Sequence, residues 1–371
     1  MVRRPSPKAR AAQWLLLAIV LGVAWYLGSQ AAANMSRRHT AFGFGFLADG
    51  ANFDIPFRLI PWEVGDTYAR ALLVCTLNTL LVSAMSIVAA TLLGVLVGVM
   101  RLSGNWLVRN IALGFIELVR NTPILVQIFF FYVAVLGALP GPRQSIVLPL
   151  GVLLNIRGLY LPSPEANAWA DVLWPLAGAL LVMIPLVWRR TLAGRPVGVR
   201  ALVLALAGIT CFAAGVGQLD FPIMRGFNIA GGVQVIPELV ALWAGLTIYA
   251  SAFIAEIVRA AILSVHKGQR EAALSLGLKP RQVLSKVILP QALRVAVPPL
   301  TSQYLNIIKS SSLGAAVAYP ELFQIFAGTV LQQTAREIES MAILVAIFLS
   351  INLVTSAFMN WYNRRVALVG R

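Results

Sequence analysis

The sequence predicts an all-α, polytopic integral membrane protein with about eight transmembrane helices. Three observations carry that prediction: the composition, the lengths of the apolar runs, and the placement of the basic residues. Of 371 residues, 59% are hydrophobic and only 12% charged, and the mean hydropathy is +0.80. A typical soluble domain carries roughly 25% charged residues. A helix needs about 20 mostly apolar residues to cross the hydrocarbon core. Eight runs meet or approach that length: residues 13–33, 71–100, 120–139, 171–188, 201–219, 237–263, 291–309 and 338–360. Several are longer than the minimum, so tilt or interfacial ends are expected.

The net charge of +16 is a topology signal. With the N-terminus in the cytosol, the inner segments hold 19 of the 30 Lys and Arg residues and the outer segments hold 8. The other three, Arg120, Arg259 and Lys309, fall within or at the ends of spans. This is the positive-inside bias, which places both termini in the cytosol and requires no nucleic-acid partner.

Residues 1–70 form an anchor helix and an outer segment. The run from Trp14 to Leu27, with basic residues before it and Ala31-Ala32-Ala33 after it, would also suit a cleavable signal peptide. Its full length reaches across a bilayer, which favours an uncleaved anchor. In the second span, Gly94 and Gly98 stand four residues apart, a spacing that brings helices into close contact. Cys75 and Cys211 both lie in apolar runs and read as inert buried thiols rather than a disulfide framework.

Around the third span, Glu117 and Arg120 are three residues apart, as are Glu256 and Arg259 at the end of the sixth. That spacing puts both members on one helical face, where they can neutralise each other. The pairs suit interfacial anchoring or gating equally. Arg120 could also hold a substrate carboxylate, with Asn121 and Thr122 opening a helix N-terminus beside it and Gln127 further along. Residues 138–236 add about two spans.

Residues 264–290 interrupt the apolar pattern with a polar island of good helix formers. Gln269 to Leu276 should be helical, with Glu271, Ala272 and Ala273 in one turn. Gly277 should end that helix, Pro280 should open a second short one, and Pro290 should start the seventh span. Pro298-Pro299 should break or kink that span. Beyond them Gln303, Asn306 and Ser310 share a face close to Lys309. The stripe suits either a wet passage for a zwitterion or hydrogen bonding between helices.

Enzyme chemistry finds little support. The two histidines, His39 and His266, are far apart, and no His, Cys and carboxylate set has metal-ligand spacing. Neither a G-x-S-x-G elbow nor a G-x-x-x-x-G-K-[ST] phosphate loop occurs, so any nucleotide site must lie on another chain.

Glu271-Ala272-Ala273, three residues, Gly277, nine residues, then Val287-Ile288-Leu289-Pro290 resembles the coupling loop of bacterial ATP-binding-cassette importer permeases. The chain departs from that family's pattern only where Val287 replaces Ile. Thr76 to Leu81, Glu117 to Pro123 with Gln127, Phe253 to Arg259, and Leu289 to Leu293 with Pro298 to Leu300 are similar to further blocks of the polar amino acid permeases. The stretch 138–236 is similar to the longer general L-amino acid subunits. The resemblance implies a type I importer permease core over 71–363, with 264–290 as the cytosolic coupling loop in an inner membrane. It implies docking through Glu271, Ala272, Ala273, Gly277, Leu289 and Pro290 to a dimer of ATP-binding subunits, which would carry ATP and Mg; this chain would hold no cofactor. A second, similar permease subunit, a periplasmic amino-acid-binding protein and an amino acid substrate are the other implied partners. The competing expectation is an ATP-independent carrier or channel, which would not need this loop.

Overall fold

The computed structural model describes residues 7–37, 43–166, 206–211, 213–214, 216–226 and 228–366. Its frame is helical. The first helices are α1 (Pro7–Arg37), α2 (Tyr68–Met100), α3 (Trp106–Arg120) and α4 (Ile124–Phe129), the last prolonged by π-helical turns over Phe130–Leu136. After the insertion follow α5 (Pro237–Leu263), α6 (Lys267–Ser275), α7 (Pro280–Val283) and α8 (Leu289–Ser310), then α9 (Leu331–Thr334) and α10 (Glu337–Val366).

Local chemistry sets several of these starts. The Thr67 hydroxyl accepts the Arg70 N–H at 3.3 Å at the head of α2. Asn105 accepts the N–H groups of Leu107 and Val108 at the head of α3. Both are side-chain caps of donors the helix cannot satisfy itself. Pro237 opens α5, where its missing N–H has no consequence.

Among the described residues, five helices are long and apolar enough to cross a membrane, or six if the bent pair α3–α4 counts as one span. These six coincide with six of the eight expected runs. The run 171–188 lies outside the described residues. The run 201–219 is helical at 206–211, but its end is a strand from Val216. The run 120–139 covers only the second limb of the bent pair, Ile124–Leu136, which turns by 104° from α3. The prolines at 298 and 299 do not break α8, which runs through both. Their fixed φ of about −65° is itself helical, and membrane helices tolerate the missing donors when neighbours cover the freed carbonyls.

The helices α2 and α5 form the central pair. A Cβ on Gly94 would lie 2.6 Å from Ile254 Cγ2 and 2.9 Å from the Ser251 carbonyl oxygen; one on Gly98 would lie 2.7 Å from the Ala255 carbonyl oxygen. The two glycines therefore hold the backbones in direct contact, as their spacing predicted. Cys75 is buried here, whereas Cys211 is half-buried. The segment 43–67 is packed against the helical frame. Its Phe46, Ile55 and Trp62 join Val74 of α2, Leu344 of α10 and Phe326 in one apolar cluster.

The insertion adds β-structure that the helical reading did not anticipate. The first strands are β1 (Ile146–Leu148), β2 (Val152–Asn155), β3 (Gly158–Leu161) and β4 (Ser163–Ala166). The returning ones are β5 (Val216–Asp220), β6 (Ile223–Arg225), β7 (Asn228–Ala230) and β8 (Val233–Val235). They pair antiparallel in one sheet of order β1-β2-β3-β8 and two pairs, β4-β5 and β6-β7. Outgoing and returning strands are neighbours: Leu159 faces Val235, and Ser163 faces Asp220. Strands of three to five residues carry too short a pattern to stand out in an apolar sequence.

Candidate functional site

The polar island folds as two short helices joined at a sharp turn. His266 Nδ1 accepts the Gly268 N–H at 3.1 Å and starts α6. Gly277 has φ +79°, a left-handed conformation that disfavours side chains. Around it the Gly277 N–H donates to the Leu274 carbonyl at 2.9 Å, and the Leu278 N–H to the Ala273 carbonyl at 3.2 Å. Those two bonds define a Schellman stop. Pro280 opens α7, where the Lys279 N–H donates to Gln282 Oε1 at 2.9 Å. Leu289 and Pro290 begin α8. The expected boundaries at Gly277, Pro280 and Pro290 are thus where the chain places them.

The burial of this element is one-sided. Ala273 and Val283 face inward, while Glu271 and Ala272 are exposed. Leu274, Leu276 and Leu284 also point outward, Leu276 with 82% of its surface exposed. Three leucines are thus exposed on an otherwise polar element.

A second group gathers where α2, α3 and α5 end. The Arg259 guanidinium grips the Glu256 carboxylate through both oxygens, with Nε to Oε2 at 3.0 Å. Arg120 and Arg101 lie within electrostatic reach of the same carboxylate. The expected Glu117–Arg120 pair is not formed. Arg120 instead stands over the Phe253 ring, 5.3 Å from its centroid, a cation–π distance. Glu117 accepts a hydrogen bond from Asn121 Nδ2 at 3.4 Å. The reason is that α3 ends at Arg120, which turns the guanidinium toward α5.

Asn121 and Thr122 also occupy a different position from the expected one. Asn121 closes α3, and the Thr122 hydroxyl donates to the Leu118 carbonyl at 2.8 Å, so neither opens a helix N-terminus. Gln127 is buried, and its Nε2 donates to the carbonyls of Val119 at 2.9 Å and Thr122 at 3.0 Å. It fastens the bend between α3 and α4, which removes it from the accessible surface.

The polar stripe on α8 stays on the surface of the chain. Asn306 and Lys309 are exposed, while Gln303 and Ser310 are half-buried. Their neighbour Tyr304 turns inward and meets the Thr91 hydroxyl at 3.0 Å. Sequence reasoning missed Asn78, whose Nδ2 donates to the carbonyls of Phe57 at 2.9 Å and Pro320 at 2.8 Å. It also missed Tyr132, whose hydroxyl donates to Glu238 Oε1 at 3.0 Å. An amide in an apolar span signalled the first, whereas a contact 106 residues apart left no local signal for the second.

Comparison with known proteins places this arrangement. A family model described as the binding-protein-dependent transport system inner membrane component matches residues 90–368. The Escherichia coli K12 protein YhdX, described as an amino-acid ABC transporter permease, is 45% identical over 99% of this chain and 96% of its own length. The general L-amino acid transport system permease protein AapQ of Rhizobium johnstonii is 41% identical over 99% and 94%. The glutamate/glutamine/aspartate/asparagine permease protein BztB of Rhodobacter capsulatus is 38% identical over 96% and 93%. With the match covering most of its length, the chain belongs to the binding-protein-dependent transport system inner membrane components, the permease family of ATP-binding-cassette importers.

Proposed function

We propose that this chain is a permease subunit that takes up amino acids across a bacterial inner membrane with both its termini cytosolic. The observation that carries the reading is the one-sided element α6–α7, with its glycine stop and its outward leucines. An ATP-independent carrier has no use for such a surface. A dimer of separate ATPase subunits, binding ATP and Mg, docks there and drives alternating access. A periplasmic binding protein delivers the amino acid, and a second, different permease subunit completes the pathway.

The α8 stripe supports the pathway assignment. Polar side chains exposed on a membrane span do not face lipid, because hydrocarbon offers no partner for them. Gln303, Asn306, Lys309 and Ser310 therefore line the passage shared with the second permease. The Glu256–Arg259 pair, with Arg101 and Arg120 around it, gates the cytosolic end.

The test is amino-acid-stimulated ATP hydrolysis by the complete complex in proteoliposomes, comparing wild type with Gly277→Pro. Proline is locked near φ −65° and cannot adopt the +79° turn. The variant complex should assemble yet lose stimulation by binding protein and amino acid. Wild-type stimulation and uptake in the variant would refute docking at this element.

A further inference from the structure

A cavity of about 400 Å³ lies at the end of α4, lined by Tyr132, Val133, Leu136, Gly137, Ile156 and Pro237. This volume is toward the small end of the range for small-molecule pockets, roughly 300–1,000 Å³. Its walls come from three parts of the chain. Tyr132 to Gly137 belong to the π-helical turns and their end, Pro237 starts α5, and Ile156 comes from the β2–β3 turn of the insertion. Wide turns of this kind inside α-helices are frequent at functional sites.

The lining is apolar except at Tyr132. Its phenolic hydrogen is committed to Glu238 Oε1 at 3.0 Å, one residue beyond the lining residue Pro237. A phenol bound in this way keeps its oxygen lone pairs free, and a carboxylate behind it adds negative potential. The tyrosine ring face adds the attraction of an aromatic quadrupole for a cation. Val133 is 65% exposed, so the cavity has an accessible side.

We propose that this cavity is an outer binding site for an L-amino acid with an apolar side chain. The substrate's ammonium group sits on Tyr132 Oη with Glu238 as its counter-charge, and its side chain lies against Val133, Leu136 and Ile156. The proposal rests on the transport reading above and names a substrate-binding position within it. Because Ile156 closes one wall, the insertion takes part in holding substrate.

The experiment is equilibrium binding of radiolabelled L-leucine to the complete complex in nanodiscs, without binding protein. 4-Methylpentanoic acid, which has the same side chain but no ammonium group, serves as competitor. Wild type should retain leucine and not release it to the competitor. Tyr132→Phe and Glu238→Gln should each weaken retention by tenfold or more, with subunit stoichiometry unchanged on size exclusion. Val133→Phe, which fills the cavity from its exposed side, should abolish retention and keeps the test decisive if either polar variant fails to assemble. Equal retention in the variants, effective competition by 4-methylpentanoic acid, or no leucine bound by wild type would overturn the proposal. None of these results touches Gly277-dependent ATP hydrolysis, so the two readings fail separately.

Discussion

Glu321 has no exposed surface, yet it is a carboxylate just past the span that ends near Val317. Its oxygens accept the N–H groups of Phe323 at 2.8 Å and Gln324 at 2.6 Å. It thereby caps the turns that lead into α9. Burial pushes its pKa up to about 7 from 4.5, against the lowering effect of those two donors. A carboxyl raised on folding stabilises the fold fully below its unfolded pKa and loses that contribution as pH rises through the folded one. The complex should therefore melt at falling temperature between pH 4.5 and about 7, and Glu321→Gln should flatten that slope. Thermal denaturation across this range checks it; an identical slope in the variant rules it out. Single residues with strong backbone preferences were the most legible part of the chain. Gly277, Pro280 and Pro290 stand where turn chemistry alone demanded them. The missing Glu117–Arg120 pair and the anchoring of Gln127 were not legible, because both depend on the bend between α3 and α4, which spacing along one helix does not reveal.

At the scale of elements, the α2–α5 contact is the feature most sensitive to volume. Side chains at Gly94 or Gly98 would meet Ile254, Ser251 or Ala255 within 3 Å. Overpacking of that kind costs about 1–3 kcal/mol. Gly94→Val should lower the melting temperature of the complex, whereas Gly114→Ala, inside α3 with nothing within 4 Å of the added carbon, should raise it slightly. Equal melting of the two variants would show that the helices have room to part. The sequence revealed this contact because a four-residue glycine spacing has one geometric use on a helix. It did not reveal the 104° bend after α3. The hydropathy pattern starts a span at residue 120 and leaves α3 outside it, and hydropathy does not register a change of direction. The uninterrupted α8 teaches the opposite lesson: proline removes a donor, but its φ does not oppose a helix.

For the whole molecule, the proposed orientation rests on the distribution of basic residues, and a labelling experiment reads it directly. Ser275→Cys, in a chain whose two cysteines are replaced by alanine, should react with a membrane-impermeant maleimide only after the cytosol is opened. Labelling of intact spheroplasts would invert the assigned topology. The membrane class and the two short helices of 264–290 were visible in the sequence because composition and local backbone rules act along the chain. The packed segment around Trp62 and the strands of the insertion were not, because both depend on partners distant in sequence. The pairing of β4 with β5 has a consequence for how such chains come to differ in length. Ser163 and Asp220 stand face to face, so everything between them leaves and returns through a single doorway. A segment held by such a clasp can be lengthened, shortened or exchanged in evolution while every helix on either side keeps its neighbours.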